Sequence, residues 1–325
     1  IGSLYIFRVF LILKIREFRL IPENNKILSF NLLLFIRSMN THFDLIVIGS
    51  GLGGLLSAVV MAKEGYKVAV IEQNKQIGGC LQTFSFGKKV FDSCVHYIGA
   101  LDAGQTQNRI FKYAGIMDDL KLRRLDTNGF DQVVFGDQET SFPQAQGLSN
   151  FREQLLSYFP KEQHALSEYT GLLEKVGASF PLYTLRSGQE SEKEWVRDWE
   201  VTETLARLSN NPLLQNVLAG NNLLYAGQRN KTPFYIHALV VKSYIDSAYA
   251  CEGGSSQISK QLLKKLREHG GTIFTKERVS RLELQARHIQ KAITESGRVF
   301  IGKQFIANVH PQKMLEWIKD PALKP

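Results

Sequence analysis

The residues with the clearest chemical potential are six in a row, Gly49-Ser50-Gly51-Leu52-Gly53-Gly54, in a chain of 325 residues. Gly49, Gly51 and Gly54 fall in the spacing G-x-G-x-x-G, and each missing side chain has a use. Gly49 permits a tight turn off a strand, Gly51 lets the backbone approach a pyrophosphate, and Gly54 lets helix and strand pack closely. Ser50 and Gly53 complete the turn. Phosphates bind at such a place because the first turn of a helix offers free N–H groups and the positive end of its dipole. Glu72 lies 23 positions after Gly49. A carboxylate there accepts hydrogen bonds from ribose hydroxyls and repels an additional 2′-phosphate.

A glycine fingerprint means little unless a strand delivers the chain to it and a helix carries it away. Both are legible. From Phe43 the sequence reads F-D-L-I-V-I, an apolar, β-branched run suited to a strand buried on both faces. Leu55–Glu64 carries Leu, Ala, Val and Met at helical spacing, and Gly65 follows as a C-terminal cap. Lys67–Ile71 is a second apolar strand, ending at Glu72. Together they predict a β-α-β unit of the Rossmann type, the context that gives the fingerprint its meaning.

The fingerprint does not distinguish FAD from NAD. Beyond Glu72, five residues lead to a second glycine pair, Gly78-Gly79, followed by Cys80-Leu81-Gln82-Thr83-Phe84. Such a pair permits the chain to fold back over a pyrophosphate. The run from Val70-Ile71-Glu72 to Gly78-Gly79 resembles the FAD-binding signature shared by amine oxidases, phytoene desaturases, carotenoid isomerases and retinol saturases. With Phe91-Asp92 and His96-Tyr97-Ile98-Gly99 added, the string is most similar to the retinol saturase and carotenoid isomerase branch. Gly78-Gly79-Cys80 with Thr83-Phe84 is part of that likeness, and Cys80 sets the chain apart from amine oxidases and many bacterial phytoene desaturases, which have a basic residue there. There is one departure: Ser93-Cys94 replaces the family's usual Thr-Gly, which changes a backbone approach to the flavin expected there.

A second block extends the resemblance, so that it covers most of residues 43–311. Glu252-Gly253-Gly254-Ser255 precedes an amphipathic helix over Ile258–Leu266, with Leu262, Leu263 and Leu266 on one face. Gly270-Gly271 ends it, and Thr272–Phe274 is a short strand. The resemblance implies that this block returns the chain to the FAD domain and that Val279 meets the adenine through its backbone. Gln304–Pro311 is similar to a family strand and turn. The fold class implied is α/β: a Rossmann-type FAD-binding domain with a parallel sheet, formed discontinuously by residues 39–100 and 251–311, plus an inserted α+β substrate domain over 101–250. The cofactor binders expected are Gly49, Ser50, Gly51, Gly53, Gly54, Glu72, Gly78, Gly79 and Val279.

Inside the insertion, helices are predicted over Gly104–Ala114, Ser149–Val176, Thr202–Leu208 and Leu213–Leu224. Asp131–Phe135 and Thr140–Phe142 read as strands joined at Gly136-Asp137. Arg186–Asp198, rich in Glu, Lys and Trp, is either a solvated loop or a mobile cap. Aromatic residues in Pro233–Tyr249 either line a substrate tunnel or are ordinary core packing, and each one singly fits packing better.

Composition narrows the function. Apolar residues make up 44% and charged residues 22%, as in a globular protein with room for two domains. The net charge of +9 includes +4 within residues 1–38, and no basic run elsewhere has the density of a nucleic-acid footprint. Three cysteines, Cys80, Cys94 and Cys251, make no C-x-x-C pair, so neither a zinc site nor a disulfide framework is indicated and no metal is expected. Residues 1–38 begin without methionine and lack a membrane span's length. They read either as sequence upstream of a start at Met39 or as a basic, apolar membrane-surface anchor.

The function these readings imply is that of a FAD-dependent oxidoreductase acting on carbon–carbon double bonds of an isoprenoid, carotenoid or retinoid-like lipid. A saturation step needs a proton, and His96 and Tyr97 are the candidate donors. A structural role competes for both. A flavin amine oxidase is the enzymatic alternative. The resemblance also implies a glycine-rich C-terminal segment, which residues 312–325 do not contain, so a truncated, non-catalytic remnant is the alternative from another class. The partner expected is an apolar small molecule, and a cytoplasmic location with peripheral membrane contact accords with it.

Overall fold

Four short apolar strands that share one direction form the centre of the computed structural model, which describes residues 42–318 apart from 137, 138 and 287. The readings for residues 1–38, for Asp137 and for the chain end beyond 318 lie outside these. In chain order the dinucleotide unit begins with β1 (His42–Ile48), α1 (Leu52–Lys63) and β2 (Val68–Ile71). A hairpin follows, β3 (Thr83–Phe86) and β4 (Lys89–Asp92), and then β5 (Ile98–Gly99), α2 (Thr106–Tyr113) and β6 (Leu122–Arg124). The middle contains the hairpin β7 (Asp131–Val134) and β8 (Ser141–Gln144) and the helices α3 (Leu148–Tyr158), α4 (Gln163–Ser179), α5 (Val201–Leu208), α6 (Pro212–Leu218) and α7 (Phe234–Asp246). The return consists of β9 (Ala248–Cys251), α8 (Ser256–Glu268), β10 (Thr272–Phe274), β11 (Val279–Gln285), β12 (His288–Thr294), β13 (Val299–Ala307) and α9 (Pro311–Trp317).

The main sheet has the order β10-β2-β1-β13-β12-β11. β10, β2, β1 and β13 are mutually parallel, and β12 and β11 continue antiparallel. Strands from both ends of the described chain therefore share one sheet, as a discontinuous domain requires. Parallel strands must be covered on both faces. Leu45, Val47, Val68 and Val70 pack with Leu55, Ala58, Val59 and Ala62 of α1 and with Ile258, Leu262 and Leu266 of α8. On the opposite face Phe43, Ile46, Ile48 and Ile71 meet Val279, Leu282, Ala292 and Phe300. Gly65 ends α1 as predicted. Its φ is +88°, and Tyr66 N–H reaches back to Met61 C=O while Gly65 N–H reaches Ala62 C=O, both at 3.1 Å, a Schellman arrangement.

The middle of the chain builds a separate core. Phe151, Tyr169, Leu173, Phe234 and Ile245 are buried together there. Here the structure corrects the sequence reading once and sharpens it once. The single helix expected over Ser149–Val176 is two helices, because Phe159 and Pro160 break the run and residue 160 cannot donate to an ongoing helix. Arg186–Asp198 is largely exposed, as a solvated segment should be, but Glu190–Arg197 is helical and pinned to the helical core. Its Val196 is fully buried, Trp195 Nε1–H donates to Ser179 Oγ at 3.0 Å, and Arg186 pairs with Glu192. Phe234 and Ile245 belong to this core and Tyr244 does not. His237 is fully buried, with Tyr169 Oη at 2.8 Å from one ring nitrogen and Tyr225 Oη at 2.8 Å from the other. Burial holds its pKa down at about 4, so the ring is neutral.

The chain leaves the dinucleotide unit and re-enters it through a three-stranded sheet of order β5-β9-β6. Phe111, Ala114 and Ile116 pack in the same core as α1 and α8. The first part of the predicted insertion is thus structurally continuous with the dinucleotide unit. None of the described helices is long and apolar enough to cross a membrane.

Candidate functional site

The C-terminal ends of β1 and β13 lie side by side, and each is followed at once by the residue that shapes the site. Gly49 leaves β1 with φ +97°, and a Cβ there would come within 2.6 Å of Asn308 C=O. Only glycine satisfies both conditions. Gly54, one turn into α1, is tighter: a Cβ would sit 2.1 Å from Gly49 C=O. Gly51 differs in kind. It precedes α1 with φ −63°, a conformation open to any residue, and a Cβ would meet only Asn308 Nδ2 at 3.0 Å. Two of the three glycines are therefore required by the fold, whereas the third leaves a backbone face open. Among the described residues, no backbone carbonyl accepts from the N–H groups of Gly53 and Gly54. They are the unfilled donors that suit an anion at a helix N-terminus.

Glu72 is 6% exposed at the end of β2. Its Oε2 accepts from Ser50 N–H at 3.0 Å and from Ser50 Oγ–H at 2.5 Å, and its Oε1 accepts from Asn74 N–H at 2.8 Å. The carboxylate thus braces the glycine turn, an additional task to the ribose role that its spacing suggests. Hydrogen bonds to a charged acceptor of this kind contribute about 1.5–3 kcal/mol each when buried. Ser50, fully buried, is bonded in two directions: Gly78 N–H donates to its carbonyl at 3.0 Å. That bond places the second glycine pair on the first. Gly78 and Gly79 have φ +109° and +56°, and a Cβ on Gly79 would touch Gly51 Cα at 3.2 Å.

Val279 begins β11 and is buried. Glu277 N–H donates to Glu72 C=O at 2.9 Å, so this strand starts beside the Glu72 end of β2. The structure therefore brings together Gly49, Ser50, Gly51, Gly53, Gly54, Glu72, Gly78 and Gly79, and lays the segment leading to Val279 next to them. One residue of the site was passed over in sequence as part of a strand and turn. Asn308 donates its N–H to Ile48 C=O at 2.8 Å, and its carboxamide occupies the space that a Cβ on Gly51, Gly53 or Gly54 would need, 3.0–3.3 Å from where each would sit. Its position directly after an apolar strand was the available signal.

Next to this turn is a cavity of about 450 Å³. Leu52 of α1 and Leu81 beyond the glycine pair form one wall; Phe111, Leu239 and Val240 form others. Tyr97, Tyr183 and Tyr244 add phenol rings. The two candidate proton donors separate here. Tyr97 lines the cavity, and His96 is exposed and does not. Tyr97 Oη–H donates to Asp131 Oδ2 at 2.7 Å, and its ring meets that of Tyr244 edge-on with centroids 5.0 Å apart. Burial, with the Asp131 bond in addition, pushes the Tyr97 pKa well above the ordinary phenol value. The hydroxyl therefore stays protonated at every physiological pH. Asp92 fixes the loop ahead of α8, since its Oδ1 accepts from both N–H and Oγ–H of Ser255 at 2.6 Å.

Comparison with known proteins agrees with this geometry. A family described as an NAD(P)-binding Rossmann-like domain matches residues 47–114. The chain is 31% identical over 265 residues to the all-trans-retinol 13,14-reductase of Rattus norvegicus, covering 75% of this chain and 42% of the reductase. It is 23% identical over 285 residues to a 4,4′-diaponeurosporene oxygenase of Staphylococcus aureus, covering 82% of this chain and 55% of that protein. Among solved structures, an oxidoreductase from Methanosarcina mazei superposes with a TM-score of 0.61 at 18% identity, covering 86% of this chain and 62% of that one. The last comparison establishes the fold alone. The chain spans less than half the length of the reductase it matches.

Proposed function

We propose, on the premise that this chain is a homologue of the retinol 13,14-reductases and the carotenoid oxidoreductases, that it forms the dinucleotide-binding portion of a FAD-dependent oxidoreductase. Its substrate is an apolar isoprenoid or retinoid lipid, altered at a carbon–carbon double bond. One observation carries this reading: a largely apolar cavity is lined by Leu52 of the glycine turn and by Leu81 beyond the second glycine pair, so that a lipid chain there would lie next to the proposed cofactor site. Apolar walls remove water from both reactants, which is what a polyene and a reduced ring require.

The residues fit the cofactor. The turn at Gly49, Gly51 and Gly54 accepts the pyrophosphate, with the N–H groups of Gly53 and Gly54 as donors. Gly78 and Gly79 would close over it, Glu72 would hold the ribose, and the backbone at Val279 would take the adenine. FAD, when bound, exchanges hydride with a substrate carbon. The protein contributes position, a dry cavity and the proton. Of the two candidate donors we assign that proton to Tyr97, since it alone reaches the cavity wall; His96 becomes a surface residue. Asp131 holds the Tyr97 hydroxyl in place.

The deciding measurement is the visible spectrum of the purified chain after loading with FAD, with Gly51→Ala and Glu72→Ala beside it. A flavin spectrum in the parent that is lost in Gly51→Ala, at an unchanged melting temperature, supports the reading, because the fold tolerates a Cβ there and a pyrophosphate does not. Flavin retained equally by Gly51→Ala would overturn the assigned binding site.

A further inference from the structure

Two exposed cysteines, Cys80 in the motif string and Cys94 at the departure from it, are brought to one end of a hairpin by the fold. Cys80 follows the second glycine pair. Cys94 follows β4. Between them β3 and β4 pair antiparallel in the register Thr83↔Asp92 to Phe86↔Lys89, and Ser93 N–H donates to Gln82 C=O at 3.0 Å, so the ladder runs past the named strands toward both cysteines. Cys94 follows Ser93 directly. Cys80 is on the 3₁₀ turn Gly79–Leu81, whose Leu81 N–H reaches back to Gly78 C=O at 2.9 Å. The Gln82–Ser93 bond leaves Cys80 two residues before it on one arm of the hairpin and Cys94 one residue after it on the other, so both thiols emerge at the same end of the hairpin. Both thiols are free and exposed, and Cys251 is half-buried.

We propose that Cys80 and Cys94 form a dithiol that closes reversibly to a disulfide by exchange with a low-molecular-weight disulfide. One cysteine thiolate attacks a sulfur of the small disulfide and expels one small thiol. The neighbouring cysteine then attacks the protein sulfur of the mixed disulfide and expels the second. Two protein thiols lose two electrons and two protons, and the small disulfide takes up both. The two thiols are close enough that Cys80 raises the Cys94 pKa above the ordinary thiol value. The third thiol is unsuited to the exchange, because burial pushes Cys251 up to about 11.

The location gives the bond a purpose. Leu81 and Val95, each next to one of these cysteines, line the cavity. Gly79, on the other side of Cys80, touches the phosphate turn at Gly51. A disulfide here ties the wall of the cavity to the glycine pair, and it does so whether or not the cofactor reading is correct.

The test uses the full chain in an oxidised glutathione buffer, followed by alkylation of remaining thiols, trypsin digestion and mass analysis. Cleavage after Lys88 and Lys89 separates the two cysteines, so a disulfide appears as two linked peptides. The expected result is that linked pair, with Cys251 alkylated and the bond reversed by reductant. In Cys80→Ser, Cys94 is expected to stop as its glutathione adduct, and Cys251→Ser is expected to retain the linked pair. Recovery of the Cys80 and Cys94 peptides unlinked from the folded parent, whether alkylated or glutathionylated, overturns the proposal. A linked pair that forms only after unfolding in urea overturns it equally.

Discussion

The glycine turn and the helical region over α3–α7 solve opposite problems. At the turn, backbone meets backbone: Gly54 has no room for a Cβ beside Gly49 C=O, and Gly49 needs a left-handed φ. In the helical region, side chain meets side chain, and the tightest demands are polar, as where His237 holds Tyr169 and Tyr225. The first kind of constraint permits one residue type at each position and leaves a trace in any sequence. The second can be met by many combinations of volume and hydrogen bonding. The difference predicts where single changes should do most harm, and by what route.

The largest effect is expected from Gly54→Ala. No rotamer relieves a clash between two backbones, so destabilisation of about 3 kcal/mol or more is expected, at the upper end of overpacking costs. Thermal unfolding by circular dichroism checks this, and a variant that melts like its parent breaks the contrast with Gly51.

The helical region should answer to pH. His237 has a folded pKa of about 4 against 6.5 for an ordinary imidazole. The folded pKa is the lower of the two, so the unfolded chain binds the proton first as pH falls. The contribution is fully present above pH 6.5 and drains away toward pH 4, roughly 3 kcal/mol in all. Urea unfolding at pH 7, 6 and 5 should show the slope, and His237→Phe should flatten it. A parent whose stability is level across that interval would show that the ring is not buried neutral.

Ser50→Ala is expected to cost about 2 kcal/mol, since it removes the hydroxyl bond to Glu72 and leaves a buried carboxylate short of a donor. It should also weaken flavin retention more than Thr170→Val does, a change confined to the helical core. Equal retention in the two would blur the distinction between the regions. The smallest effect on stability is expected from Tyr97→Phe, about 1 kcal/mol for one hydrogen bond. Its turnover, however, should fall about 10²-fold or more if the proton comes from this hydroxyl. Unchanged turnover would return Tyr97 to a purely structural role.

Legibility followed the same division. β1, α1, β2 and β10 stand within a few residues of their predicted bounds, and the glycine pairs turn where φ must be positive. The caps at Gly65 and Gly270 were legible for that reason too. The break between α3 and α4 was missed because the apolar period runs on through Phe159, and Pro160 was not weighed against it. Arg186–Asp198 is largely exposed, as its charge density suggests, and what the charges conceal is that Val196, Trp195 and Trp199 anchor it to the helical core. Asn308 went unassigned because its role is set by which strand lies next to β1, a fact of topology and not of spacing. The partition of His96 from Tyr97 depends likewise on the path of the chain after β4.

The pairing of β1 with β13 has a consequence in time. On one edge His42–Ile48 finds its partners at residues 301–307, so a chain growing from the ribosome presents its first described strand long before the strand that covers that edge exists. Contacts so distant in sequence are slow to form, and an unpaired apolar edge invites association with other chains while it waits. Nascent-chain handling, by chaperones or by the pace of synthesis, is therefore set for this protein by its last described strand.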